Sequence, residues 1–224
     1  DRKNVAWRVF AEVGGTVCFL TALLNAPLAS VSAVLQIVPL AVTLAAAFFL
    51  GDPLGWRRLT AILIAFGGVM LIIRPGAESF DIYSLYALGA VGFIVLRDIT
   101  TRQISSHVSG LQIAFMTSIA ITVLGFAISG PTGWEPMPGN ALFGLALAAF
   151  FILLGYVLSI AAMRHGDVAF VAPFRYTVMV WAIGLGYFLF DEVPDPLMLL
   201  GLAIVIAMGL YAFARERKLA RSGP

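Results

Sequence analysis

Arg175 is the residue in this chain with the most chemistry to offer and the least obvious reason to be where it is. It stands inside residues 169–192, AFVAPFRYTVMVWAIGLGYFLFDE, an apolar run about as long as a bilayer is thick. An arginine there costs about 2.5–3.5 kcal/mol on insertion scales, and such charges face a bundle interior or a wet cavity. A guanidinium so placed suits a carboxylate or phosphate, which it grips with two parallel hydrogen bonds. The competing reading is that it snorkels to the interface, since the residue lies about 10 Å inside its span. Tyr176 and Trp181 follow it and offer flat faces to a planar ligand, or simply pack.

Gln36 is the second such residue. It lies in residues 29–52, ASVSAVLQIVPLAVTLAAAFFLGD, and an amide in an apolar helix must find hydrogen bonds, either in a cavity or with a neighbouring helix. Pro39 frees a carbonyl in the same run and allows a kink, while Pro173 falls in the first turn of its span, where proline is tolerated. Tyr156, Ser159 and Met163 share one helical face as cavity lining or helix packing. Arg97, beside Asp98, marks a span end; it reads as an entry gate or as an interfacial anchor paired with Asp98. Glu12 follows Arg8 by one turn and reads as its partner.

Enzymes need clustered nucleophiles, metal ligands or paired carboxylates. His107 and His165 stand singly at turns, and no Asp/Glu cluster falls inside a span, so the sequence reads as neither an enzyme nor a cofactor or nucleic-acid binder. No filter-like stretch or charged pore helix points to a channel.

The elements that must position these residues are membrane helices. Of 224 residues, 61% are hydrophobic and 12% charged, more apolar surface than a soluble domain of this size hides. The lone Cys18 allows no disulfide framework. Eight stretches have spanning character: 7–25, 30–50, 59–73, 84–103, 110–129, 141–163, 168–190 and 197–213, the third and eighth being short. Threading the chain alternately collects twelve of the fourteen Lys and Arg on one side, leaves Arg74 on the other and Arg175 within a span. That asymmetry predicts an inner-membrane, multi-pass protein with both termini cytoplasmic.

The two apolar runs lie 140 residues apart, and at that offset Ala29 pairs with Ala169, Phe48 with Phe188, Asp52 with Glu192 and Leu59 with Leu199. Identity is low, but span, acidic turn and next span stay in step. The expected organisation is an N-terminal unit, residues 1–76 with three spans, and a C-terminal unit, residues 77–224 with five spans and a basic tail. Five spans per unit would invert one unit relative to the other. The first unit then lacks two spans, and the intact protein would have ten.

On residues 22–52 with 60–75, and 161–192 with 197–215, the layout resembles the drug/metabolite transporter superfamily, in particular its EamA-type ten-span members. The family's fourth and ninth spans end in leucine, glycine and glutamate; here they end Leu50-Gly51-Asp52 and Phe190-Asp191-Glu192, a loosened form. The resemblance implies an all-α secondary transporter working by alternating access, with a small-molecule substrate such as an amino acid or related metabolite, export being the favoured direction. It implies substrate contacts at Arg175, Tyr176, Gln36, Trp181, Tyr156 and Ser159, and gates or hinges at Pro39, Pro173 and Arg97. A homodimer is left open. The motifs themselves are hydropathic and locate no cargo.

Overall fold

A computed structural model of the protein describes residues 2–75, 81–105, 108, 110–129, 136, 138–165 and 176–221, for some residues near the ends of these segments by backbone alone. The described residues contain helices and no strands, so the chain is an all-α membrane protein. In chain order the helices are α1 (Arg2–Asn25), α2 (Leu28–Leu35), α3 (Val38–Phe49), α4 (Trp56–Ile73) and α5 (Tyr83–Arg102). They continue as α6 (Gly110–Ser129), α7 (Gly139–His165), α8 (Val178–Phe190) and α9 (Pro196–Arg221).

Seven of the eight sequence stretches fall on helices, with α2 and α3 sharing one; of the other, 168–190, residues 168–175 lie outside the described residues and 178–190 form α8. Among the described residues, five segments are long and apolar enough to cross a membrane: Arg2–Asn25, Leu28–Phe49, Trp56–Ile73, Tyr83–Arg102 and Pro196–Arg215. The helices overrun the apolar stretches where charges begin. α1 starts at Arg2, α4 takes in Arg57 and Arg58, and α9 runs on through Arg221. Long basic side chains can lie back along the helix while their charges reach the interface, so charge ends the apolar run without ending the helix. The third stretch, short by hydropathy, thereby gains three residues.

The described residues form two compact units, residues 1–121 with 176–224, and residues 122–175. The first holds the core. Its centre is the α2–α3 segment, in which 56% of the apolar window is buried against a third or less for the other four long spans. Helix α2 packs against α5 and α8 and also meets α1, α4 and α9. The buried cluster at this centre includes Val31, Val34, Ile37, Leu40, Ile62, Val69 and Val205. Outward, Phe48, Phe49, Phe188 and Leu189 are exposed, as lipid-facing residues should be.

Small residues let the helices approach. A Cβ on Gly14 would lie 2.5 Å from the Phe93 ring, which seats α5 on α1; Phe93 in turn meets Phe10 edge-on at 5.8 Å. Between α4 and α9, Gly68 and Gly201 face each other backbone to backbone.

Two helix ends repeat at the 140-residue offset. The N–H of Asp52 donates to the carbonyl of Ala46 at 3.3 Å, and that of Glu192 to Gly186 at 3.0 Å. Between them Gly51 (φ 74°) and Asp191 (φ 53°) take the left-handed conformation that closes such a cap. A glycine at 51 adopts it freely, whereas Asp191 does so at some cost.

Candidate functional site

The central helix is interrupted halfway along. Pro39 has no N–H to offer the carbonyl of Leu35, so the α-helical ladder fails there. The chain instead makes two tighter bonds, Gln36 N–H to the Ala33 carbonyl and Ile37 N–H to the Val34 carbonyl, both 3.2 Å. Regular helix resumes with Ala41 N–H donating to Ile37 at 2.9 Å. The expected kink at Pro39 is thus a two-residue break between α2 and α3.

Gln36 sits in that break. It is buried, 7% exposed, and its amide Nε2 has no hydrogen-bond partner among the described residues. A buried donor left unpaired costs about 1–3 kcal/mol, so its retention calls for a reason.

The N-terminal end of α2 is held from a distance. Pro27 has no side chain able to cap a helix, and the Glu192 carboxylate takes that role, accepting from Leu28 N–H (3.0 Å) and Ala29 N–H (3.4 Å). Beside it Arg74 pairs with Asp195, and these groups line a cleft of about 280 Å³ with Ser30 and Met198. Glu192→Ala is expected to lower unfolding stability by about 1 kcal/mol, the usual cost of a lost cap. Glu192→Gln keeps an acceptor oxygen and should lose less. A melt in detergent showing the alanine variant unchanged would remove the cap from the account.

A second polar constellation lies between α1 and α5. Glu12 Oε1 stands 3.4 Å from Arg97 Nη1, and Glu12 Oε2 stands 3.6 Å from Arg8 Nη2. Arg97 Nε donates to Asp98 Oδ1 at 2.9 Å. Arg8 Nε donates to Thr101 Oγ1 at 3.0 Å, and its Nη1 to Thr117 Oγ1 of α6 at 2.9 Å. Arg8–Glu12 and Arg97–Asp98, which the sequence offers as two local pairs, are one network with Glu12 as the bridge. Further along α5, Arg102 meets Asp52 at 3.3 Å with both side chains half exposed, a surface pair of little energetic weight.

The other sequence candidates scatter. Tyr176 is half-buried in a turn before α8, its ring and hydroxyl against Gly209 of α9. Trp181 is 69% exposed on α8, whose buried positions are Met179, Ala182 and Gly186. Tyr156 and Ser159 lie on α7 in the second unit, where their side chains are outside the description, and Pro173 and Arg175 lie outside the described residues. Sequence reasoning did not find the Glu192 cap or the Glu12–Arg97 contact. The 140-residue repeat marked Glu192 as special, but nothing local signals the second.

The described fold is thus a many-helix membrane protein built on a broken central helix, with one buried amide, Gln36, at the break. The family model for the EamA-like transporter family matches residues 81–213, and the chain belongs to that family. Among its relatives, the S-adenosylmethionine uptake transporter of Rickettsia bellii is 30% identical over 199 residues, 86% of this chain and 66% of the relative. The pseudopaline exporter CntI of Pseudomonas aeruginosa is 28% identical over 207 residues, 90% of this chain and 71% of the relative. The riboflavin transporter of Vibrio cholerae is 28% identical over 216 residues, 96% and 72%. The chain spans about two thirds of the length of the first of these.

Proposed function

We propose that this protein is a secondary transporter, acting as an exporter, that moves a small organic metabolite, an amino acid or related compound, by alternating access between two inverted repeats. The observation that carries the reading is the break at Gln36–Ile37 in the most buried helix. Carriers place their substrate sites at discontinuous helices, where freed backbone groups and polar side chains meet the cargo. A buried amide nitrogen with no hydrogen-bond partner among the described residues, placed at that break, supports the reading of a group held ready for a ligand.

The matching caps at Gly51–Asp52 and Asp191–Glu192 support a repeat with the units 1–76 and 77–224. The relatives' names cover both uptake and export, so direction rests on the flux assay. The bias of basic residues and the bacterial relatives support a place in the inner membrane with both termini cytoplasmic. Gln36, Arg175, Tyr176, Trp181, Tyr156 and Ser159 are the proposed substrate contacts, with Pro39, Pro173 and Arg97 as gate or hinge. A homodimer is compatible with this arrangement.

The test is flux in proteoliposomes over a panel of metabolites. Saturable exchange of a panel compound is expected; ohmic conductance would sink the reading in favour of a channel. Arg175→Ala is expected to weaken the saturable flux about tenfold, the worth of one charge-assisted contact, while leaving the protein inserted. Unchanged flux would remove Arg175 from the site.

A further inference from the structure

We propose that Glu12 and Arg97 form a seat for a zwitterion bearing an apolar side chain, the ligand's ammonium going to Glu12 and its carboxylate to Arg97. The inference rests on the transporter reading and names the cargo class that this part of the protein would take.

The first ground is geometry. The Glu12 carboxylate is straddled by two guanidinium groups at 3.4 and 3.6 Å, both longer than the roughly 2.7–2.9 Å of a well-made charge-assisted hydrogen bond. The neighbouring contacts in the same network are tight: Arg97 to Asp98 at 2.9 Å, and Arg8 to its two threonines at 2.9 and 3.0 Å. The slack is therefore confined to Glu12 and the groups that face it. A ligand ammonium can take the carboxylate without breaking any of the short bonds.

The second ground is space. Glu12, Thr16 and Arg97 line a cleft of about 170 Å³ whose walls include Gly15, Phe19 and Ile94. One end thus carries a carboxylate and a guanidinium, and the rest is hydrocarbon. That is the complement of a small amino acid with an aliphatic or aromatic side chain.

The third ground is charge balance. Arg8, Glu12, Arg97 and Asp98 carry two positive and two negative charges, with side chains between 16% and 33% exposed. Glu12 is the eleventh residue of α1, about 15 Å along the helix from Arg2. The apolar stretch itself begins at residue 7, so the cluster lies about 7.5 Å inside it. With side chains this little exposed an added net charge is costly, and a ligand of either sign would leave the cluster unbalanced. A zwitterion gives each separated partner a new one and keeps the sum at zero.

The experiment measures binding and flux separately on the full-length purified protein. Binding is read by ligand-induced shift of the melting curve in detergent, using L-leucine, L-valine and L-phenylalanine. L-leucinamide, which lacks the carboxylate, and N-acetyl-L-leucine, which lacks the ammonium, are run beside them. At least one of the three zwitterions is expected to bind, with both analogues at least tenfold weaker. Glu12→Gln should lose about tenfold for the zwitterion while leaving N-acetyl-L-leucine unchanged. Arg97→Gln should do so while leaving L-leucinamide unchanged. If either glutamine variant fails to fold, Glu12→Asp and Arg97→Lys serve for the same comparison, each with a smaller loss.

Equal binding of all probes, equal losses for all probes in both variants, or no binding by any zwitterion overturns the seat. Saturable flux of some other metabolite with no amino-acid binding overturns the seat and leaves the transporter reading standing. Amino-acid binding without any flux does the reverse.

Discussion

Gly201→Val is expected to leave no stable folded protein in detergent. An ideal Cβ at Gly201 would lie 2.5 Å from the Gly68 carbonyl oxygen, 2.8 Å from Ile72 and 3.3 Å from Leu71. The relation is mutual, since a Cβ at Gly68 would lie 2.8 Å from the Gly201 carbonyl oxygen. The obstacle on each side is backbone, which cannot rotate out of the way as a side-chain tip can. Relief would require α4 and α9 to separate, and these two helices carry the buried Ile62, Ala65, Val69 and Val205 of one core cluster. Overpacking in a core costs about 1–3 kcal/mol when neighbours can yield. Here they cannot, and a fold held by roughly 5–15 kcal/mol has little in reserve. Gly184→Val is the control: nothing stands within 4 Å of its Cβ, and it should melt with the parent. Fluorescence-detected size-exclusion after a heating series checks both; a Gly201→Val protein eluting and melting like the parent would mean that the two helices do not pack this closely.

That contact also marks the limit of what a sequence shows. Both glycines are plain in the chain, but 133 residues separate them, and many other glycines have open space around them. Local properties were readable because the membrane enforces them residue by residue: length of apolar run, the turn at Gly51, the loss of an N–H at Pro39. The spans and the central break follow from those. Glu12 reads as the partner of Arg8 because four residues in a helix always bring two side chains together. That Arg97 approaches from the far side depends on how Phe93 seats against Gly14, a packing event between helices 80 residues apart in the chain. Glu192 is similar. Its place at an acidic span end that pairs with Asp52 at the 140-residue offset is visible, yet its role as the cap of α2 depends on Pro27 being unable to cap for itself. Trp181 is 69% exposed because α8 packs through Met179, Ala182 and Gly186, a choice of face that depends on the neighbouring helices and is not written locally.

Gln36→Leu is expected to do two things at once: raise the thermal stability of the protein and reduce its saturable flux to background. Leucine is close to glutamine in size and fits an apolar core without a cavity. The substitution removes a buried amide donor that has no partner among the described residues, and such a group costs about 1–3 kcal/mol. The neighbours Val34, Ile37, Val38 and Leu40 are apolar and buried, so the new side chain joins their cluster. A gain of that size should appear as a higher melting temperature. If Gln36 instead held two helices together by a hydrogen bond, as buried amides in membrane bundles also do, the same substitution would lower stability. Its flux would then fall only as far as the folded fraction falls. The sign of the stability change therefore separates the two roles before any cargo is known. A more stable protein that no longer carries substrate means that the amide's missing partner is the cargo itself, and that the break at Pro39 exists to keep that donor unspent.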